Sequence, residues 1–237
     1  MSTTAECIHG FEPGLCAICS PAPEPVRARA VRPEPAPRRA TPVRSAARAS
    51  VTPAQQRVYH VTHLANLRAI VRDGLVAGAE PEVDVSSALT RELRSEAEIA
   101  PGESVASAVP FYLAPDADRW VALRDGAADP AWSDAARRAA PNDFVFLVTT
   151  LDRLPDPLLA DGDAAGSLTR FAHGDELRRM LVRLHDADAR AAAEALAPGS
   201  VPWSAIQLIG VANDRVREQV RALTSTKVAV YPPWFVA

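Results

Sequence analysis

From residue 58 onward, apolar positions recur in short runs whose spacing alternates between the two-residue repeat of a strand and the helical repeat of about 3.6. Val58, Tyr59 and Val61 predict a strand over 58–62, with His60 and Thr62 between them. Leu64, Leu67, Ile70 and Val71 then fall at helical spacing, so a helix over 64–73 follows, capped by Thr62 and ended by Gly74 in a left-handed conformation. A second helix is predicted over 85–97. Ala108 to Leu113 reads as a strand in which Pro110 argues for an edge or an irregular end. Short helices over 116–124 and 132–139 precede Phe144-Val145-Phe146-Leu147-Val148-Thr149, a continuous apolar run of the kind found in buried strands. A polar loop over 155–167 leads to a helix or helix pair over 174–193, with Leu177, Met180, Leu181 and Leu184 on one face. A strand over 206–211, a helix reaching about 224 and a last strand over 227–231 complete the pattern. No internal repeat is present. Strands scattered among helices without regular alternation define an α+β domain rather than a doubly wound one.

The first 57 residues do not share this pattern. Residues 21–57 hold eight prolines with arginine, alanine and little else, a composition that cannot bury enough surface to fold and reads as an extended, disordered linker. The chain is thus divided at 1–20, 21–57 and 58–237. Its formal net charge of -3 hides an asymmetry: the linker carries +6, residues 1–19 carry -2, and the folded part carries -7. A polyanion would meet the arginine arm first. Lys227 is the only lysine, so a coding bias towards arginine is an alternative source of that excess. No apolar run approaches the ~18 residues a membrane helix requires. The N-terminus has cysteines and prolines where a secretory signal would be apolar, so a cytoplasmic protein with no membrane partner is expected.

All three cysteines lie in the first segment, where Cys7, His9, Cys16 and Cys19 form a Cys-x-His-x6-Cys-x2-Cys pattern. The spacing of Cys16 and Cys19 lets two thiolates reach one metal, and a structural zinc takes four S or N ligands, so a Cys3His zinc-binding segment is expected. A segment this short has no core, and the metal would supply its folding energy. The alternative is an unstructured tail with a redox-active Cys-x-x-Cys.

Tyr59-His60-Val61-Thr62-His63-Leu64-Ala65-Asn66-Leu67 resembles the opening Tyr-His-x-Thr-His-x-x-Asn-Leu run of the DarT family of DNA ADP-ribosyltransferases. Val109 to Leu113 is similar to that family's Val-Pro-Phe-Tyr-Phe strand, and Ala193-Glu194-Ala195-Leu196-Ala197 to its Ala-Glu-Phe-Leu-Val segment. The resemblance spans 58–237 and implies an ADP-ribosyltransferase-like split mixed sheet with surrounding helices. The implied activity is transfer of ADP-ribose from NAD to thymidine in single-stranded DNA, as a toxin or defence effector whose partner would be a macrodomain antitoxin.

The resemblance also assigns residues. Glu194 would stabilise the positive charge that builds on the ribose as the nicotinamide leaves. His60, Val61 and Thr62 occupy the positions that grip NAD, Val61 through its backbone. His63 and Asn66 would tie the helix start to a neighbouring loop. Counting back from Val109 places Arg94 at the family's essential arginine, with Arg91 one turn earlier as the alternative. A guanidinium that stays charged above pH ~12 is a poor base, which favours an electrostatic role. Two departures bear on the acceptor. Asp116-Ala117-Asp118-Arg119-Trp120 replaces a Ser-Pro-Met-Leu-Tyr type segment, and Gly166 to Phe171 replaces a longer loop with a histidine and aromatics. An ADP-ribosyl-transferring fold acting on RNA or a small molecule, and an inactive module that binds nucleic acid through zinc and the arm, are the other readings.

Overall fold

The computed structural model describes residues 52–236. The Cys7, His9, Cys16, Cys19 segment and most of the linker lie outside the described residues. The linker's last residues belong to the fold: Gln56 is buried and donates through its side-chain nitrogen to the Leu113 carbonyl at 3.0 Å, and Arg57 already stands in the first strand.

In chain order the elements are β1 (Arg57–His63), α1 (Leu67–Asp73), β2 (Leu75–Val76), α2 (Ala88–Glu96), β3 (Glu98–Ala100), β4 (Glu103–Ser104) and β5 (Ala108–Tyr112). Next come α3 (Asp118–Arg124), α4 (Asp134–Arg138), β6 (Phe144–Thr150), β7 (Leu158–Ala160), β8 (Phe171–Ala172), α5 (Gly174–Arg183) and α6 (Ala187–Ala192). The last are β9 (Glu194–Pro198), β10 (Ser200–Val201), β11 (Leu208–Val211), α7 (Asp214–Arg221) and β12 (Val228–Val230). Eight strands form one mixed sheet in the order β12-β11-β6-β1-β5-β9-β7-β8, antiparallel except for β11 with β12. Two small ribbons, β2 with β10 and β3 with β4, flank it.

Within β6 the run 144–148 is apolar throughout because the strand is covered on both faces. Val145 and Leu147 pack with Leu67 of α1, Leu177, Met180 and Leu181 of α5, and Val216 and Val220 of α7. Phe144, Phe146 and Val148 pack with Trp120 of α3, Ala136 of α4 and Phe235 near the C-terminus. The Trp120 indole N–H donates to the Trp234 carbonyl at 2.7 Å. The Trp234 ring lies against Gly210 of β11 so closely that a Cβ there would overlap it. Gly210→Ala is therefore expected to lower stability by about 1–3 kcal/mol, read as a lower urea midpoint at unchanged slope.

Pro110 is not at an edge, because β5 is an interior strand between β1 and β9. The proline is tolerated because β1 and β5 share one registered pair, Tyr59 with Tyr112, whereas β5 and β9 pair over five residues. The missing N–H therefore faces a seam where the ladder is already open. Two four-stranded halves meet at this seam. The polar stretch 155–167 is also not all loop: Leu158–Ala160 pairs with β9 as β7. The start of the first helix is capped by His63, whose Nδ1 accepts from Ala65 N at 3.2 Å, and not by Thr62. Asn66 ties that helix to Val83 by two hydrogen bonds of 2.8 Å, the anchoring role expected of it.

Candidate active site

Ser87 caps α2 by accepting from Thr90 N at 3.1 Å, which fixes where the helix begins and so which side chains face inward. Thr90 and Arg94, four residues apart, share the inner face. Thr90 donates through its hydroxyl to the Ala131 carbonyl at 2.9 Å. The Arg94 Nη1 donates to Glu194 Oε2 at 3.0 Å. Arg91 points elsewhere, to the Asp84 carboxylate at the surface.

Glu194 opens a strand rather than sitting exposed at a helix end. α6 stops at Ala192, and Glu194 then pairs with Tyr112 of β5 on one side and Ala160 of β7 on the other. It is 3% exposed, and its Oε1 accepts from Ala164 N at 3.2 Å. The pair with Arg94 brings together side chains 100 positions apart, both largely buried. A carboxylate is not left in such a place without partners, because desolvation costs several kcal/mol per ion. The second guanidinium nitrogen of Arg94, Nη2, is buried with no hydrogen-bond partner among the described residues, leaving one strong donor unused.

Arg94, Glu194, Thr90, Tyr112, Arg119 and Trp132 line a cavity of about 70 Å³. A groove of about 670 Å³ adjoins it across the bridge between Ser86 and Trp132, which lines both spaces. Burial, and secondarily the Glu194 carboxylate, raises the Tyr112 phenol far above its ordinary range, so it remains a hydroxyl. Burial also acts to raise the Asp163 carboxyl, but Arg119 and the Ala165 N–H outweigh it and hold the group below the usual carboxylate range.

The β1 residues reach this region differently. Strand alternation puts the His60 side chain with Val58 and Thr62, on the face opposite Tyr59 and Val61. Its ring lies 5.6 Å from that of Phe111, and its Nδ1 is 2.9 Å from the carbonyl of Pro110. The structure therefore does not place the imidazole on the Arg94–Glu194 cavity; it places it behind Pro110, one of the cavity walls. A carbonyl only accepts, so Nδ1 carries the proton and Nε2 is the acceptor. Burial lowers the His60 pKa from 6.5 and outweighs the opposing effect of the Pro110 bond, keeping the ring neutral. The unfolded chain then binds the extra proton first. This contribution to stability is complete above the unfolded value of 6.5 and is lost as pH falls toward the lowered folded value. His60→Gln is expected to flatten the fall in melting temperature between pH ~7 and ~5 relative to the parent chain.

Val61 offers backbone. The Val148 carbonyl accepts from Gln207 N on the β11 side, so Tyr59, registered opposite Val148, turns its own N–H and C=O away from β6. Two residues on, Val61 does the same, toward the seam beyond the single pair joining β1 and β5. Thr62 is 3% exposed, and its hydroxyl accepts from the Asn66 side chain at 3.1 Å.

Thr90, Tyr112, Arg119 and Trp132 were not singled out by sequence. Tyr112 lies inside a quoted motif and Arg119 inside a noted departure, but nothing local marks Thr90 or Trp132. Among the described residues there is no cluster of three or more His, Cys, Asp or Glu able to hold a metal.

The fold matches DarT from Thermus sp. 2.9 in complex with ADP-ribosylated ssDNA, at 20% identity and a TM-score of 0.62 over 76% of this chain and 96% of that one. It matches the same protein in complex with NAD+ at 21% identity and a TM-score of 0.61, over 76% of this chain and 97% of that one. DarTG from Thermosipho africanus, in complex with ADP-ribose, matches at 18% identity and a TM-score of 0.59, over 76% of this chain and 51% of that one. Among curated proteins none matches. The family model for DarT, ssDNA thymidine ADP-ribosyltransferase, matches residues 59–236, and the chain belongs to that family.

Proposed function

We propose that Glu194 and Arg94 are the reacting centre with which this chain transfers ADP-ribose from NAD to thymine in single-stranded DNA, and that His60, Val61 and Thr62 hold the dinucleotide. The observation that carries the assignment is the buried Arg94–Glu194 pair on the wall of a cavity. Breaking the nicotinamide–ribose bond leaves positive charge on the ribose, and a carboxylate fixed at two oxygens stabilises it without having to reorganise. The acceptor base forms the new bond to the ribose carbon as nicotinamide departs, and the proton of the base passes to solvent water. Arg94, always charged, serves through its unused Nη2 as a hydrogen-bond donor to an anionic group rather than as a base. Val61 offers backbone N–H and C=O at the seam, His60 an Nε2 acceptor for a ribose hydroxyl, and Thr62 its hydroxyl proton. The Thermus DarT complexes with NAD+ and with ADP-ribosylated ssDNA support both substrates.

The two arginines separate this reading from a purely structural helix. Arg94→Ala is expected to lower transfer by about 10²-fold or more, whereas Arg91→Ala, which removes a surface pair with Asp84, stays within a few-fold of the parent. Steady-state transfer of labelled ADP-ribose checks both. Equal losses in the two variants would contradict the assignment. A calorimetric titration with NAD should give one site.

Two parts of the proposal concern the N-terminal segment and a partner. Cys7, His9, Cys16 and Cys19 bind one structural zinc, and the arginine arm at 21–57 adds the affinity for DNA that the acidic domain lacks. Metal analysis of the purified chain should find one zinc per chain, lost in Cys16→Ser. A macrodomain antitoxin partner is supported by DarTG, of which nearly half lies outside the match and whose complex contains ADP-ribose.

A further inference from the structure

We propose that Arg119 and Asp163 form a positioning pair for Glu194: Asp163 ties down both Arg119 and the loop whose Ala164 N–H orients the carboxylate. The inference rests on the reading of Glu194 given above. Arg119, in the first turn of α3, forms an ion pair with the Asp163 carboxylate in the loop between β7 and β8. That loop is closed on itself. Asp161 accepts from the Arg170 backbone N–H and Nε, each at 2.8 Å. The Asp163 carbonyl accepts from Gly166 N at 2.8 Å and from the Thr169 hydroxyl at 2.6 Å, while its carboxylate accepts from Ala165 N at 3.1 Å. The loop is joined to the site by the Arg119 ion pair and by Ala164, which is buried against Val105, Ala108 and Leu196 and donates to Glu194 Oε1.

Arg119 lines the same cavity as Glu194. Deprived of Asp163, its guanidinium has Glu194 as the nearby carboxylate to turn to, which would draw that group off the reacting position. Two consequences follow that a merely structural pair would not produce. Removing the acid is more harmful than removing the arginine, and removing the arginine as well relieves the damage.

The test measures kcat and KM for NAD in the full chain for Arg119→Met, Arg119→Lys, Asp163→Asn and the double variant Arg119→Met/Asp163→Asn. It also follows amide hydrogen exchange of the peptide covering Ala164. Arg119→Met is expected to lose about tenfold in kcat and Asp163→Asn about a hundredfold, with KM for NAD within about twofold, because the fault is one of orientation. The double variant should return to the level of Arg119→Met, and Arg119→Lys should stay close to the parent. Exchange at Ala164 should quicken in Arg119→Met and in Asp163→Asn. Parental kcat and exchange in both single variants would overturn the proposal. A rise in KM alone would also overturn it, making Arg119 a substrate contact. If the parent chain transfers nothing, it is the function proposed above that fails, and unchanged exchange in Arg119→Met would still overturn the pairing separately.

Discussion

Glu194→Gln is expected to lower ADP-ribose transfer by about 10²–10³-fold while leaving a folded protein. Glutamine keeps the volume and an oxygen to accept from Ala164 N, so the packing of β9 between β5 and β7 is undisturbed. What disappears is the charge that stabilises the ribose in the proposed reaction and that pairs with Arg94. Arg94 is then a buried guanidinium without its counter-ion, and breaking such a pair from one side costs about 3–5 kcal/mol. The loss of activity must therefore be measured well below the lowered melting temperature, by single-turnover transfer beside a thermal melt of the same sample. Leaving the Ala164 N–H as well as Arg94 without an acceptor, and a void besides, Glu194→Ala should melt lower still.

Gly74→Ala is the substitution expected to cost most in stability outside the site. Gly74 has φ 82° and ψ -174°, a region closed to residues with a side chain, and a Cβ there would stand 2.5 Å from the Val201 carbonyl oxygen. Strain of about 1–3 kcal/mol adds to the displacement of β10, which pairs with β2 immediately after this glycine. The loss should exceed that of Gly210→Ala, where a Trp234 side chain can shift but a backbone carbonyl cannot. Urea titrations of the two variants side by side give the order.

Much of this fold can be read locally. The helix or helix pair over 174–193 comes from helical spacing, and Leu177, Met180 and Leu181 are buried as that spacing predicts, while the buried strand over 144–149 comes from its apolar run. Two of the failures share one cause, pairing between distant segments. Pro110 argues for an edge only while the seam beside β1 is unknown. Leu158–Ala160 is too short to declare itself, and becomes a strand because β9 runs beside it. Thr62 is a better cap former than His63 by composition, yet its hydroxyl is taken by Asn66.

The site divides the same way. Glu194 could be picked out by resemblance to family motifs, as could Arg94 with Arg91 as its alternative, and the fold puts Arg94 in contact with Glu194. The other cavity walls could not, because Thr90 and Trp132 owe their places to a cap at Ser87 and a single bridge at Ser86. His60 carried the strongest motif, and its side chain stands behind Pro110 rather than on the cavity.

The central claim concerns the chemistry at Glu194, and intact-mass spectrometry of the acceptor tests it most directly. The full chain is incubated with NAD and a single-stranded oligonucleotide containing one thymine, alongside the same oligonucleotide with the thymine replaced. The account predicts a mass gain of one ADP-ribose on the thymine strand, none on the other, and none on either with Glu194→Gln over the same interval. No gain on the thymine strand, or an equal gain on both strands or with Glu194→Gln, would contradict it.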